Sequence, residues 1–342
     1  MVMDAHCRYI LGWSCGMTVT TELVKMAYLN ALHHIKELTG NFYSFHQIQY
    51  DRFGLKKLSD IYKAVAEHDF EKDAKGKSHP RKRVIESLFN KELHKILKQN
   101  PHGYSGHNWD AKSKINSEHL QADMKNYPVF SDLPLYMRWL VNEMRQSKMS
   151  GCSESKQAMW LKSWASMDLD KRKPLDDVAR FKAFGILHKD LKSGKPETYT
   201  LKNDVFSPKL LGVKREYLFI DEEEYIANYG VKFNIMYDPY DLSTVMAINE
   251  DGTRSMLLAE TKRPPMAVAD YTEGSRELLN FRLTQNKKIV KYLKESTQRI
   301  IDAPLDTDGM LKMNMQKGLQ QAAAEMLQLT GGDTKRIDML NG

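Results

Sequence analysis

Two carboxylates carry the first chemical reading of this sequence. Asp51 closes a short β-prone run, Phe45–Tyr50, and Glu86 follows 35 positions later inside a stretch with helical patterning. A strand end and a helix are both rigid enough to hold oxygen ligands at a fixed separation. Carboxylates so held bind hard divalent cations, Mg2+ or Mn2+, and two such ions can activate an attacking oxygen and stabilise a leaving one. Phosphoryl transfer is the chemistry this suits. In the helix, Val84, Ile85, Leu88, Phe89, Leu93, Ile96 and Leu97 make an apolar face. Lys82, Glu86 and Asn90 recur every four residues on another face, so Glu86 points away from most of the core side chains. Spacing alone does not single the pair out. A chain with 44 acidic residues holds many Asp and Glu pairs this far apart, and the reading of both as solvated surface carboxylates stands beside the metal one.

The elements that would position these groups read as α/β order. Val2–Trp13 is β-prone at both ends with Asp4, Ala5, His6 and Arg8 between, which predicts two strand pieces around a turn. From Thr20 to Thr39, Leu23, Ala27, Ala31 and Ile35 recur every four residues and Gly40 supplies the stop, so a helix is expected. After the strand ending at Asp51, helices are predicted over Leu55–Glu67 and Lys82–Gln99, with a loop-like stretch over Asn100–Asp123. Helical patterning resumes at Leu133–Gln146 and Ser155–Phe184, the latter interrupted by Pro174. The period then changes to two. Between Glu197 and Thr261, the runs TYTL, REYLFI, VKFNIMY, STVMAI and SMLLAE alternate with turn signals such as Asp251-Gly252, predicting a small antiparallel β-barrel. Charged helices are expected over Thr272–Ile301 and Met310–Leu329.

Charge and cysteine content narrow the partners. With 51 Lys and Arg against 44 acidic residues the net charge is +7, which favours a polyanionic partner through counterion release. Lys72, Lys75, Lys77, Arg81, Lys82 and Arg83 gather just before Glu86; they read either as a solvated loop or as contacts to a DNA backbone. Cys7, Cys15 and Cys152 lack CxxC spacing and read as ordinary thiols rather than a disulfide framework or a zinc site. His33 and His34 read as core or surface histidines rather than metal ligands. No run reaches the roughly 18 apolar residues of a membrane span and no leader pattern opens the chain, so a cytoplasmic protein without a membrane partner is expected.

The words around the two carboxylates resemble the DDE transposase and retroviral-integrase superfamily. IQYDRFG, Ile48–Gly54, resembles the integrase motif in which a strand ends on the second catalytic Asp, although Arg52 stands where Asn is usual. HPRKRVIESLFNKEL, His79–Leu93, resembles the transposase helix whose catalytic Glu follows a basic, Pro-containing lead-in. VMDAHCRYILGW, Val2–Trp13, resembles the strand pair that precedes these motifs. GVKFNIMYDPYDLSTVMAI, Gly230–Ile248, resembles the C-terminal barrel of Mu-type transposases, in which a "YDP.DLS.V" sequence joins two strands. The Asp238, Pro239 and Asp241 turn itself reads as a well-formed β-turn and not as a site.

The resemblance covers about residues 1–126 and 195–265. It implies an RNase H-like catalytic core lacking its opening strand over 1–126, a helical connector over 127–194, a Mu-type barrel over 195–265 and a charged helical tail over 266–342. Asp51 and Glu86 are then the catalytic metal ligands, Mg2+ or Mn2+ the cofactor, and double-stranded DNA the substrate, as element ends and as target. The implied activity is phosphodiester hydrolysis and strand transfer during transposition or integration. A multimer assembled on DNA and an ATPase target-selection partner follow from the same resemblance. The family carries its first catalytic Asp on a strand upstream of the Val2–Trp13 pair, so the expectation is that this ligand is missing and that Asp4 is a turn residue. The alternative is that Asp4 is the first ligand. Two further readings stay open: a catalytically incomplete DNA-binding remnant, and a structure-selective nuclease on the same fold, which leaves the Mu-type barrel unexplained.

Overall fold

Helix α1, Thr21–Thr39, has its limits set by its own flanking residues. Thr20, in extended conformation, accepts a hydrogen bond from the Leu23 amide at 3.1 Å. Gly40, at φ 90°, closes the other end by donating to Lys36 O at 2.8 Å. Such caps satisfy groups the helix itself leaves unpaired. The structure, a computed structural model, describes residues 1–48, 58, 65–69, 88, 92–93, 96, 129–190, 192–201, 205–218, 222–261 and 272–302. They fall into two units, Met1–His188 with Met236–Leu242, and Lys189–Ile235 with Ser243–Gly342.

In the first unit, β1 (Val2–Met3) and β2 (Ile10–Gly12) form an antiparallel pair, Met3 opposite Ile10. Helix α1 lies directly on β2: a Cβ on Gly12 would sit 2.4 Å from both Ala27 O and Ala31 N, so only glycine allows this approach. Next, β3 (Phe45–Ile48) pairs in parallel with β4 (Ala66–Asp69), Phe45 opposite Ala66 and Ile48 opposite Asp69. The helix expected over Leu55–Glu67 therefore ends sooner, because Ala66 and Glu67 already belong to β4. A neighbouring strand offers this backbone its partners, and that tertiary pairing overrides the helix preference of Ala and Glu.

Helix α2, Leu133–Gln146, has the expected limits. The helical stretch read over Ser155–Phe184 with an interruption at Pro174 is two helices: α3 (Lys156–Ser166), capped by Ser155, and α4 (Asp177–Phe184), capped by Asp176. Arg172 seals the break by donating to Trp164 O, Ala165 O and Met167 O at 2.9, 3.2 and 2.8 Å, satisfying the carbonyls at the end of α3. Pro174 bridges to Tyr43 instead of continuing a helix. A short strand, β5 (Ile186–Leu187), follows.

The second unit is built on a curled antiparallel sheet of half-barrel form. Its strands are β6 (Thr198–Thr200), β7 (Val205–Phe206), β10 (Glu216–Leu218), β11 (Lys232–Asp238), β12 (Asp241–Asn249) and β13 (Ser255–Thr261). The ladder runs β11-β12-β13-β10-β7, with β6 on the other edge of β11. A separate two-stranded ribbon joins β8 (Lys209–Leu210) to β9 (Val213–Lys214). Every run with a period of two became a strand. Gly252, at φ 74°, turns β12 into β13 as the Asp-Gly signal required. The tip of the β11–β12 hairpin, Met236–Leu242, belongs to the first unit, where Met236 and Tyr237 pair with β5. A short helix of six residues, α5 (Glu222–Ala227), lies inside the region read as strands alone. Helix α6, Glu273–Asp302, starts one residue after the expected Thr272, whose hydroxyl accepts from Ser275 N at 3.3 Å. Among the described residues no helix is long and apolar enough to cross a membrane.

Candidate functional site

Asp51 and Glu86 lie outside the described residues, as does the basic run Lys72–Arg83. The residues around the two carboxylates are described in part, and they show how this region is fastened. Ile48, the last residue of β3, and Leu58 are both buried in a cluster with Tyr28, Leu29 and Leu32 of α1. Leu88, two residues after Glu86, is wholly buried in a second cluster with Ile10 of β2 and Leu140, Val141 and Met144 of α2. The residues flanking the two carboxylates thus fall in separate clusters, those near Asp51 with α1 and Leu88 with β2 and α2.

Glu92 adds a polar tie. Its Oε1 accepts from Arg8 Nη1 at 2.9 Å, and its Oε2 pairs with Lys156 Nζ, whose side chain is fully buried. One carboxylate therefore joins the turn of the β1–β2 hairpin and the start of α3. A buried ammonium needs such a partner, because moving an unpaired charge out of water costs several kcal/mol. Arg145 of α2 braces the same hairpin by donating to Ile10 O at 2.8 Å and Leu11 O at 3.0 Å.

Asp4, the third carboxylate weighed from the sequence, closes the turn between β1 and β2. Its Oδ1 accepts from His6 N at 3.0 Å, Cys7 N at 2.9 Å and Cys7 Sγ at 3.2 Å. That is the turn role expected of it. Burial, then the Asp4 charge and this hydrogen bond, push the Cys7 thiol up to about 12. Cys7 is an inert core thiol rather than a nucleophile.

The two adjacent histidines have separate structural partners. His34 Nε2 is 2.8 Å from Tyr9 Oη and its Nδ1 3.3 Å from Glu37, while burial, followed by the Arg145 charge, lowers its pKa. His33 Nε2 donates to Asp238 Oδ2 at 2.7 Å, and Arg180 donates to the same oxygen at 2.5 Å. Asp238 Oδ1 accepts from Tyr240 N at 3.0 Å, so the turn read from the sequence is present. The side chain does more than the turn requires: fully buried, it fastens the hairpin tip to α1 and α4. Sequence reading missed this because the partners stand 205 and 58 positions away, and no local pattern links them.

Among the described residues no three His, Cys, Asp or Glu side chains are grouped to hold a metal ion. Comparison with protein-family models gives no match for this chain, and comparison with curated proteins gives none either.

Proposed function

We propose that this chain acts on double-stranded DNA as a DDE-type polynucleotidyl transferase with an RNase H-like core, in transposition or integration. The observation that carries this reading is the order and pairing of the first elements. An antiparallel pair, β1–β2, is crossed by α1, and β3 then runs to within three residues of Asp51 and pairs in parallel with β4. This is the order that the integrase resemblance requires ahead of the second catalytic Asp. Parallel strands need a crossover of about a dozen residues or more, and 49–65 provide one. In open α/β sheets, sites gather beyond the carboxyl ends of the strands, and in the sequence Asp51 comes three residues after the last residue of β3.

The curled sheet supports the second half of the reading. Asp238 ends β11 and Asp241 begins β12, so the YDPYDLS words join two strands as in the Mu-type barrel they resemble. In this account the sheet is that barrel, and DNA-assembled multimers and an ATPase partner are its expected associations.

Asp51 and Glu86 would hold Mg2+ or Mn2+, which supplies a Lewis acid for in-line displacement at phosphorus. The test is transfer of a labelled, pre-cleaved DNA end into plasmid with and without Mn2+. Metal-dependent product that disappears in both Asp51→Asn and Glu86→Gln would support the transferase reading; product insensitive to both substitutions would sink the assignment. The engagement of Asp4 in its own turn favours a second reading, a DNA-binding protein without strand transfer. That reading predicts duplex binding with no metal-dependent product.

A further inference from the structure

The ribbon β8–β9 departs twice from what a stable hairpin asks for. Its strands are joined through Leu211 and Gly212 alone, with φ of 48° and 84°. Two positive φ angles define the tight turn whose first position favours Asn, Asp or Gly. Leucine rarely adopts that backbone, and here no burial compensates, since Leu211 is 59% exposed. The second departure is electrostatic. Lys209 and Lys214 stand directly opposite each other, an arrangement in which like charges repel, and among the described residues neither has an ion pair. Leu210 is buried and roots the ribbon, whereas Val213 beside the tip is 55% exposed. Local choices that cost stability without a folding gain mark places kept for function.

We propose that this ribbon is a DNA-contacting wedge: Leu211 at its tip enters the minor groove of a duplex, and Lys209 and Lys214, side by side on one face of the ribbon, contact the phosphate backbone. The inference rests on the DNA reading given above and assigns a part of the chain to it. An apolar side chain pressed between base steps unstacks them and bends the duplex, and neighbouring cations offset the phosphate charge. Two lysines paired on one face of a narrow ribbon suit a single run of phosphates beside the groove. An anionic lipid surface would call for a broader basic face, and the next cation, Arg215, is already paired with Glu260 at 2.6 Å.

Leu211→Asn separates a folding role from a binding one, because Asn is favoured at that turn position. In the full chain this variant should keep or raise the thermal midpoint, bind a fluorescein-labelled duplex at least about tenfold more weakly and lose the bend seen by energy transfer between the duplex ends. Lys209→Gln and Lys214→Gln should each lower the slope of log Kd against log salt by about one. A stable Leu211→Asn chain that binds and bends duplex as the unsubstituted chain does would overturn the wedge while leaving the DNA reading intact. Failure of the unsubstituted chain to bind duplex at low salt would overturn both. Loss of binding to phosphatidylserine vesicles in Leu211→Asn, with duplex affinity unchanged, would reassign the ribbon to a membrane surface.

Discussion

Gly12 sits where α1 and β2 approach most closely, and its missing side chain is what allows the contact. Replacing it with alanine places a Cβ 2.4 Å from two backbone atoms of α1 and 2.6 Å from the Ala31 Cβ, none of which can swing aside. Gly12→Ala should therefore cost about 1–3 kcal/mol or more, read as a lowered thermal midpoint; an unchanged midpoint would mean that α1 and β2 do not meet this way. Cys7 gives a pH prediction. With its thiol pushed up to about 12, alkylation at Cys7 should stay slow at pH 8 and accelerate only near that value, while the partly exposed Cys152 reacts first. The sign for stability follows from the direction of the shift. The protonated thiol is favoured in the folded chain, so its contribution is complete below the ordinary thiol range of about 8–9 and is lost as pH rises toward 12. Peptide mapping of labelled cysteines across pH checks the first point; Cys7 modified early at pH 8 would contradict the burial described here.

Among the elements, the clearest dependence is that of the region after Glu86 on a single carboxylate. Glu92 holds Arg8 and the buried Lys156 together. Glu92→Gln leaves that ammonium without its counter-ion and should destabilise the chain by about 3–5 kcal/mol, since breaking one side of a buried pair costs more than removing both. Glu92→Gln combined with Lys156→Met should recover part of the loss. Equal denaturation midpoints for the single and double variants would show that the pair is not coupled. The same comparison of local with distant partners explains what the sequence revealed. α1 and α2 were legible almost to the residue because apolar spacing, Thr20 and Gly40 are local signals. Strands β6, β10, β11, β12 and β13 of the curled sheet were legible from alternation, whereas the two-residue β7 was not. β4 was not, since AEHD favours helix until β3 is beside it; the interruption at Pro174 was read, but not that α3 already stops at Ser166, where Arg172 seals it from outside the helix.

For the molecule as a whole, the proposal drawn from the sequence words is a duplex DNA partner and a pair of metal-holding carboxylates, Asp51 and Glu86. Asp51 and Glu86 lie outside the described residues; the ion-pair anchors at Glu92 and Asp238 were not legible, because their partners stand far away in the sequence. In that proposal a net charge of +7 would supply the attraction, and the ribbon at Lys209–Lys214 a place for it to act. The most direct measurement is the affinity of the chain for a labelled duplex as salt is raised. The account predicts that log Kd rises linearly with log salt, with a slope near 0.9 for each phosphate contact, roughly the counterion-release value. Affinity that is absent at low salt, or constant from low to high salt, would contradict it.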